Sequence, residues 1–147
     1  MKRTKFLSTL GIGLAAACTG CLAACGKGDE ATPGGGGVIA PPVPPAGVNF
    51  SMDLNTDIKS VGESKTTSGV IVVRIAAGNA VTAFTAVQVA CTHEGTSITY
   101  NGTQGKFVCP NHGSVFTTAG VVSTGPATRN LKNYTIAIAG NMLSVSG

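Results

Sequence analysis

The chain is expected to be all-β, folded into small antiparallel sheets, on three observations. Apolar Val48, Phe50, Met52 and Leu54 alternate with polar Asn49, Ser51 and Asp53, the two-residue period of a strand with one buried face. Residues 70–75 form an almost unbroken β-branched run, and such side chains are stiff at χ1 and pack well on a pleated surface. Asn101-Gly102 and Gly140-Asn141 are dipeptides that accept the backbone angles of tight hairpins. After the apolar leader, no stretch of ten residues carries the helical period.

From the start of the chain, Lys2, Arg3 and Lys5 precede an apolar run over residues 6–17, the outline of a signal peptide over residues 1–24. The run is short of the roughly 20 residues a membrane span needs. Arg3-Thr4-Lys5-Phe6-Leu7 also resembles a degenerate twin-arginine export signal, the alternative being an ordinary secretion leader. Leu22-Ala23-Ala24-Cys25 resembles a lipobox, which makes Cys25 the expected lipidated residue, with Cys18 and Cys21 as poorer acceptors. A metal cluster on those three cysteines is disfavoured, because they lie in or against the leader with no histidine near. Gly28-Asp29-Glu30 resembles the acidic segments that send some bacterial lipoproteins to the cell surface.

Residues 25–47 then read as a tether, with four consecutive glycines at 34–37 followed by Pro41-Pro42-Val43-Pro44-Pro45. The glycine part is flexible and the proline part semi-rigid, a reach of a few tens of ångströms. The leader also changes the meaning of the net charge of +4, since three of the ten lysines and arginines lie in it. The rest of the chain is close to neutral, with no basic cluster for nucleic acid.

Residues 48–147 suffice for one domain with a modest core. After 48–54 and 70–75, strands are expected at 83–89, 97–100, 106–108, 115–117, 120–123, 134–139 and 142–146. Phe84, Phe107 and Phe116 are expected to pack rather than to act.

Between these strands stand Cys91-Thr92-His93 and Cys109-Pro110-Asn111-His112, separated by the fifteen residues 94–108. They contain both histidines of the chain, each within three positions of a cysteine. Three chemistries use such a set. A disulfide between Cys91 and Cys109 needs neither histidine. A zinc site more often takes its sulfurs from a C-x2-4-C pair. A 2Fe-2S centre in which two histidines replace two thiolates on one iron uses two of each.

At this point the residues resemble a family. Cys91-Thr92-His93-x-Gly95, then Cys109-Pro110-Asn111-His112-Gly113-Ser114, is similar to the two cluster-binding boxes of Rieske iron-sulfur proteins. Gly125-Pro126-Ala127, with Leu131 and Tyr134, resembles the proline loop that covers their cluster. The resemblance spans residues 48–147 and implies a Rieske-type fold, with a cluster-binding lobe at about residues 91–116. It implies Cys91 and Cys109 on the inner iron of a Rieske 2Fe-2S cluster, His93 and His112 on the outer iron, and Gly113, Ser114 and Pro126 around them.

Three departures matter. The cysteines that join the two loops by a disulfide in cytochrome bc members are Thr96 and Asn111 here, which leaves the cluster and packing to hold the loops, much as in Rieske-type ferredoxins. Phe116 stands where the high-potential members resemble one another in having a tyrosine that donates to a ligand sulfur. Glu94 puts a carboxylate beside His93. The last two favour the oxidised state, which implies a potential below that of quinol-oxidising members within a family range of about −150 to +300 mV. Gly95 and Gly113 are read as letting backbone amides approach the cluster.

The function this implies is one-electron transfer between redox protein partners by an exported lipoprotein, anchored in the membrane through Cys25 at the periplasmic face or the cell surface. No catalytic residues and no nucleic-acid contact are expected. Oxidoreductase activity then arises only within a complex, the alternative being the Rieske subunit of a quinol:cytochrome reductase or a molybdenum oxidase. The second alternative is a zinc-binding structural lipoprotein.

Overall fold

The computed structural model describes residues 42–147, so the leader, Cys25 and the glycine segment lie outside the described residues. Among the described residues, ten strands form three antiparallel sheets. The first joins β1 (Asn49–Asp53), β10 (Met142–Ser146) and β9 (Thr135–Ala139) in that order. The second joins β2 (Ser64–Thr67), β3 (Val70–Arg74) and β4 (Phe84–Gln88), and the third runs β5 (Thr99–Asn101), β6 (Lys106–Val108), β7 (Val115–Thr117), β8 (Val122–Thr124). A single 3-10 turn, Val81–Ala83, leads into β4. Among the described residues no helix is long and apolar enough to cross a membrane.

The β-branched run is apolar at each of positions 70–73 because the strand is buried on both faces. Val70 and Val72 pack with Met52, Ala86, Leu143 and Val145 into one core. Ile71 and Val73 turn the other way, into a second core with Val87, Ile98, Phe107, Phe116, Leu131, Cys91 and Cys109. The second sheet is therefore a wall between two apolar clusters, and both cysteines belong to the one on its far side.

The hairpin at Gly140-Asn141 forms as expected, with Ala139 paired to Met142 and Gly140 at φ +59°. At Asn101-Gly102 the connection is longer: β5 ends at Asn101, β6 starts at Lys106, and the Asn101 side chain accepts from the Gln104 amide at 3.0 Å. β2 had no sequence signal, because Ser64-Lys65-Thr66-Thr67 is a polar, mostly exposed edge with no apolar alternation. Its pairing comes from the turn: Ser68 and Gly69 both have positive φ, +50° and +75°, the geometry of a two-residue hairpin.

The first two sheets are stitched beside the ligand loops. Val87 bridges Asn133, and the Tyr134 amide donates to Ala86 O at 3.0 Å. Gln88, 1% exposed, donates through Nε2 to Ala90 O at 2.6 Å and accepts from the Lys132 amide at 2.9 Å. Its amide thus ties the strand entering the first ligand loop to the segment returning from residues 125–131. Gln88→Met keeps the volume and strands both backbone partners, and is expected to cost about 2–4 kcal/mol in urea unfolding.

Candidate metal centre

Two loops of the same construction present the two residue pairs. In the first, the Cys91 amide donates to Thr96 O at 2.8 Å and the Gly95 amide donates to Cys91 O at 2.8 Å. In the second, the Cys109 amide donates to Ser114 O at 2.8 Å and the Gly113 amide to Cys109 O at 3.0 Å. Each cysteine thus opens a loop closed four and five residues later, although its histidine follows at two residues in one and three in the other. Gly95 and Gly113 have φ +80° and +73°, which explains glycine at both positions. Their own amides serve the cysteine carbonyls.

β4 feeds the first loop, pinned at its base by the Ala90–Ser97 bridge, and the β6–β7 hairpin carries the second, with Val108 paired to Val115. Cys91 and Cys109 are 0% and 2% exposed and not joined to each other. Burial pushes the Cys91 thiol up, the His93 backbone amide pulls it down, and the Cys109 thiol beside it pushes it up again. A cation is what converts such thiols to thiolates, with release of protons.

The histidines lie toward solvent. Their rings meet edge to face at 5.0 Å between centroids, with side chains 30% and 43% exposed. Yet His93 Nδ1 is buried and has no hydrogen-bond partner, the one such side-chain atom among the described residues. A buried lone pair without a donor is costly unless a metal takes it. Two buried thiols, an orphaned imidazole nitrogen and a second imidazole against it fit a metal group of mixed sulfur and nitrogen ligation.

Glu94 lies closer to the second loop than its neighbour in sequence suggests. Oε2 is 3.4 Å from His112 Nδ1 and Oε1 is 4.0 Å from His93 Nε2, while Asn111 Nδ2 donates to Oε2 at 3.4 Å. A polar contact therefore joins the loops where Thr96 and Asn111 preclude a disulfide, adding to the packing that the sequence suggested as the protein's own hold on them. One ligating atom each from His93, Glu94 and His112 lies within 4.8 Å of the others.

Residues 125–131 cover the site through two hydroxyls. Ser114, fully buried, accepts from the Ala127 amide at 3.0 Å, and Thr92 donates to Arg129 O at 2.5 Å. The Ser114 hydroxyl also pulls the Cys91 thiol down, the smallest of the influences on it. Pro126 follows a cis peptide bond and is exposed; Ala127, 3% exposed, is the residue that docks. The roles of Thr92 and Asn111 were missed by sequence reasoning; a hydroxyl or amide lodged between two ligands was the available signal.

Phe116 is fully buried in the cluster that holds both cysteines. Phe116→Tyr is expected to raise the midpoint potential by about 60–130 mV in voltammetry. One hydrogen bond to a charged group is worth about 1.5–3 kcal/mol, and one electron carries about 59 mV per 1.4 kcal/mol.

A family model described as the Rieske [2Fe-2S] domain matches residues 50–135. The cytochrome b6-f complex iron-sulfur subunit of Trichodesmium erythraeum is 46% identical over 41 residues, 28% of this chain and 23% of that protein. The corresponding subunit of Chlorobaculum thiosulfatiphilum is 33% identical over 64 residues, 44% of this chain and 35% of that one. The chain spans between 23% and 35% of the length of these curated relatives. Among solved structures, the cyanobacterial plasma membrane Rieske protein of Synechocystis PCC 6803 is 33% identical with a TM-score of 0.56, covering 67% of this chain and 99% of that one. The ferredoxin of carbazole 1,9a-dioxygenase from Nocardioides aromaticivorans is 19% identical with a TM-score of 0.52, covering 69% and 98%, a likeness of fold alone.

Proposed function

The chain belongs to the Rieske [2Fe-2S] domain family, with the 2Fe-2S cluster and the electron-carrying role of that family, and from this premise we propose that Cys91, His93, Cys109 and His112 are the cluster ligands. Bound there, a 2Fe-2S cluster supplies one-electron redox chemistry at a potential raised by its imidazole ligands. The observation that carries the assignment is the pair of like-built loops, each presenting one buried thiol, with the His93 and His112 rings against each other and His93 Nδ1 left without a partner.

The residues divide the work. Cys91 and Cys109 hold the inner side within the second apolar core, where water is excluded. His93 and His112 form the half-exposed side, through which electrons pass to and from a docked partner. Ser114, its oxygen already engaged by the Ala127 amide, is the proposed donor to sulfur, while Gly113 and the 125–131 segment with Pro126 and Ala127 hold the second loop in shape. Glu94 and Phe116 set the potential below that of quinol-oxidising relatives.

The domain, residues 48–147, is a carrier tethered outside the cytoplasm: residues 1–24 export it, Cys25 takes the lipid and residues 26–47 lead to the domain. The Leu22-Ala23-Ala24-Cys25 motif and the glycine and proline run support this reading, as does the plasma membrane location in the name of the Synechocystis protein. Its donor and acceptor are redox proteins. Identity to cytochrome b6-f iron-sulfur subunits favours a second reading, a subunit of a membrane-bound reductase.

The deciding experiment is electron paramagnetic resonance of the dithionite-reduced protein, with iron measured on the same sample. A rhombic signal of low average g with two irons per chain is expected. A colourless, iron-free protein that binds zinc, or one that closes a Cys91–Cys109 disulfide after reconstitution, overturns the assignment.

A further inference from the structure

Residues 42–47 precede β1 and lie outside the region matched by the family model, yet they are not a loose lead-in. Pro42, Pro44 and Pro45 are half-buried, while Val43 among them is 89% exposed. Prolines bias a segment toward the polyproline II helix, which repeats every three residues, so Pro42 and Pro45 share one side and Val43 does not.

That side meets the domain at four residues distant in sequence. The Pro45 carbonyl accepts from the Tyr134 hydroxyl at 2.9 Å and from Lys132 Nζ at 3.3 Å. Lys132 Nζ also lies 4.7 Å from the centre of the Tyr134 ring. The Pro45 ring lies on Gly69 so closely that a Cβ there would stand 2.9 Å from Pro45 Cγ. One turn earlier Pro42 lies on Gly95, where a Cβ would stand 3.7 and 3.9 Å from its ring atoms. An aromatic side chain whose hydroxyl donates to a proline carbonyl is the kind of group that lines the grooves by which domains recognise polyproline ligands in trans, and glycine without a Cβ lets the proline rings lie close.

We propose that residues 42–45 are a strap docked in cis, in a polyproline groove formed by Gly69, Gly95, Lys132 and Tyr134, and that this docking fixes where the preceding segment leaves the domain. That point is beside Gly95, whose amide closes the first ligand loop onto Cys91. The exit of the tether is therefore next to the loop that carries His93. While docked, residues 42–47 add no reach. Released, they lengthen the tether by about 19 Å at about 3.1 Å per residue.

The test is a distance measured in the full chain between nitroxides at Val43 and Ser97, both exposed positions. The labels are attached through ketone-bearing residues, so the cysteines stay untouched. The unaltered chain is expected to give one narrow distance, and Tyr134→Phe with Lys132→Met to broaden it toward longer values. Pro42→Ser with Pro45→Ser alters only the strap and is expected to do the same if the first pair fails to fold. A broad distribution in the unaltered chain, or an unchanged narrow one in folded variants, overturns the strap. The distance is read with or without iron, so its outcome is separate from that of the ligand assignment.

Discussion

Replacing Cys109 with alanine is expected to reduce bound iron to background and to abolish the visible absorption. The side chain is 2% exposed in an apolar cluster, so nothing from solvent can stand in for the missing thiolate. The loss should also spread in a defined pattern. With no disulfide between residues 96 and 111, the protein's own hold on the two loops reduces to packing, the Glu94–Asn111 contact and the two hydroxyl contacts to residues 125–131. Amide exchange should rise at Gly95 and Gly113, whose N–H groups close the loops, and stay slow in the β1–β10 pairing. For a group held a thousand-fold above its dissociation constant, the stability withdrawn is about 4 kcal/mol. Retention of iron at full occupancy would remove Cys109 from the ligand set.

Ser114→Ala is expected to lower the midpoint potential by on the order of 100 mV and to loosen the cover at the same time. The Ala127 amide occupies a lone pair of Ser114 Oγ, which leaves the hydroxyl proton for sulfur. A donor to sulfur stabilises the extra negative charge of the reduced state, so its removal favours the oxidised one. The same change strands the Ala127 N–H in a buried position, at about 1–3 kcal/mol. Voltammetry reads the first effect and urea unfolding the second. An unchanged midpoint with a clear loss of stability would assign Ser114 to structure alone.

Much of this was legible in sequence because it is local. The alternation at 49–53 and the Gly140-Asn141 turn are patterns within a few residues, and each marks what it forms, while each cysteine–histidine pair marks one of the two like-built loops. β2 was not legible, because its order comes from pairing with β3 and not from an apolar face of its own. The position of Glu94 was half legible: the carboxylate beside His93 could be read, its approach to Asn111 and His112 could not. Thr92 with Arg129 and Pro45 with Tyr134 join residues 37 and 89 apart, and pairs of that kind leave no periodic trace.

The two-faced burial of β3 has an outcome for how this chain can change over time. Ile71 and Val72 are adjacent letters, but one lines the compartment of the two buried cysteines and the other lines the compartment shared by the first and last strands. Substitutions at odd and even positions of one five-residue strand thus act on different halves of the molecule, with a single backbone between them. Selection on the redox centre and selection on the durability of the whole can proceed side by side in the same short stretch, provided no insertion or deletion shifts the strand by one. Such a shift would exchange the two linings at once.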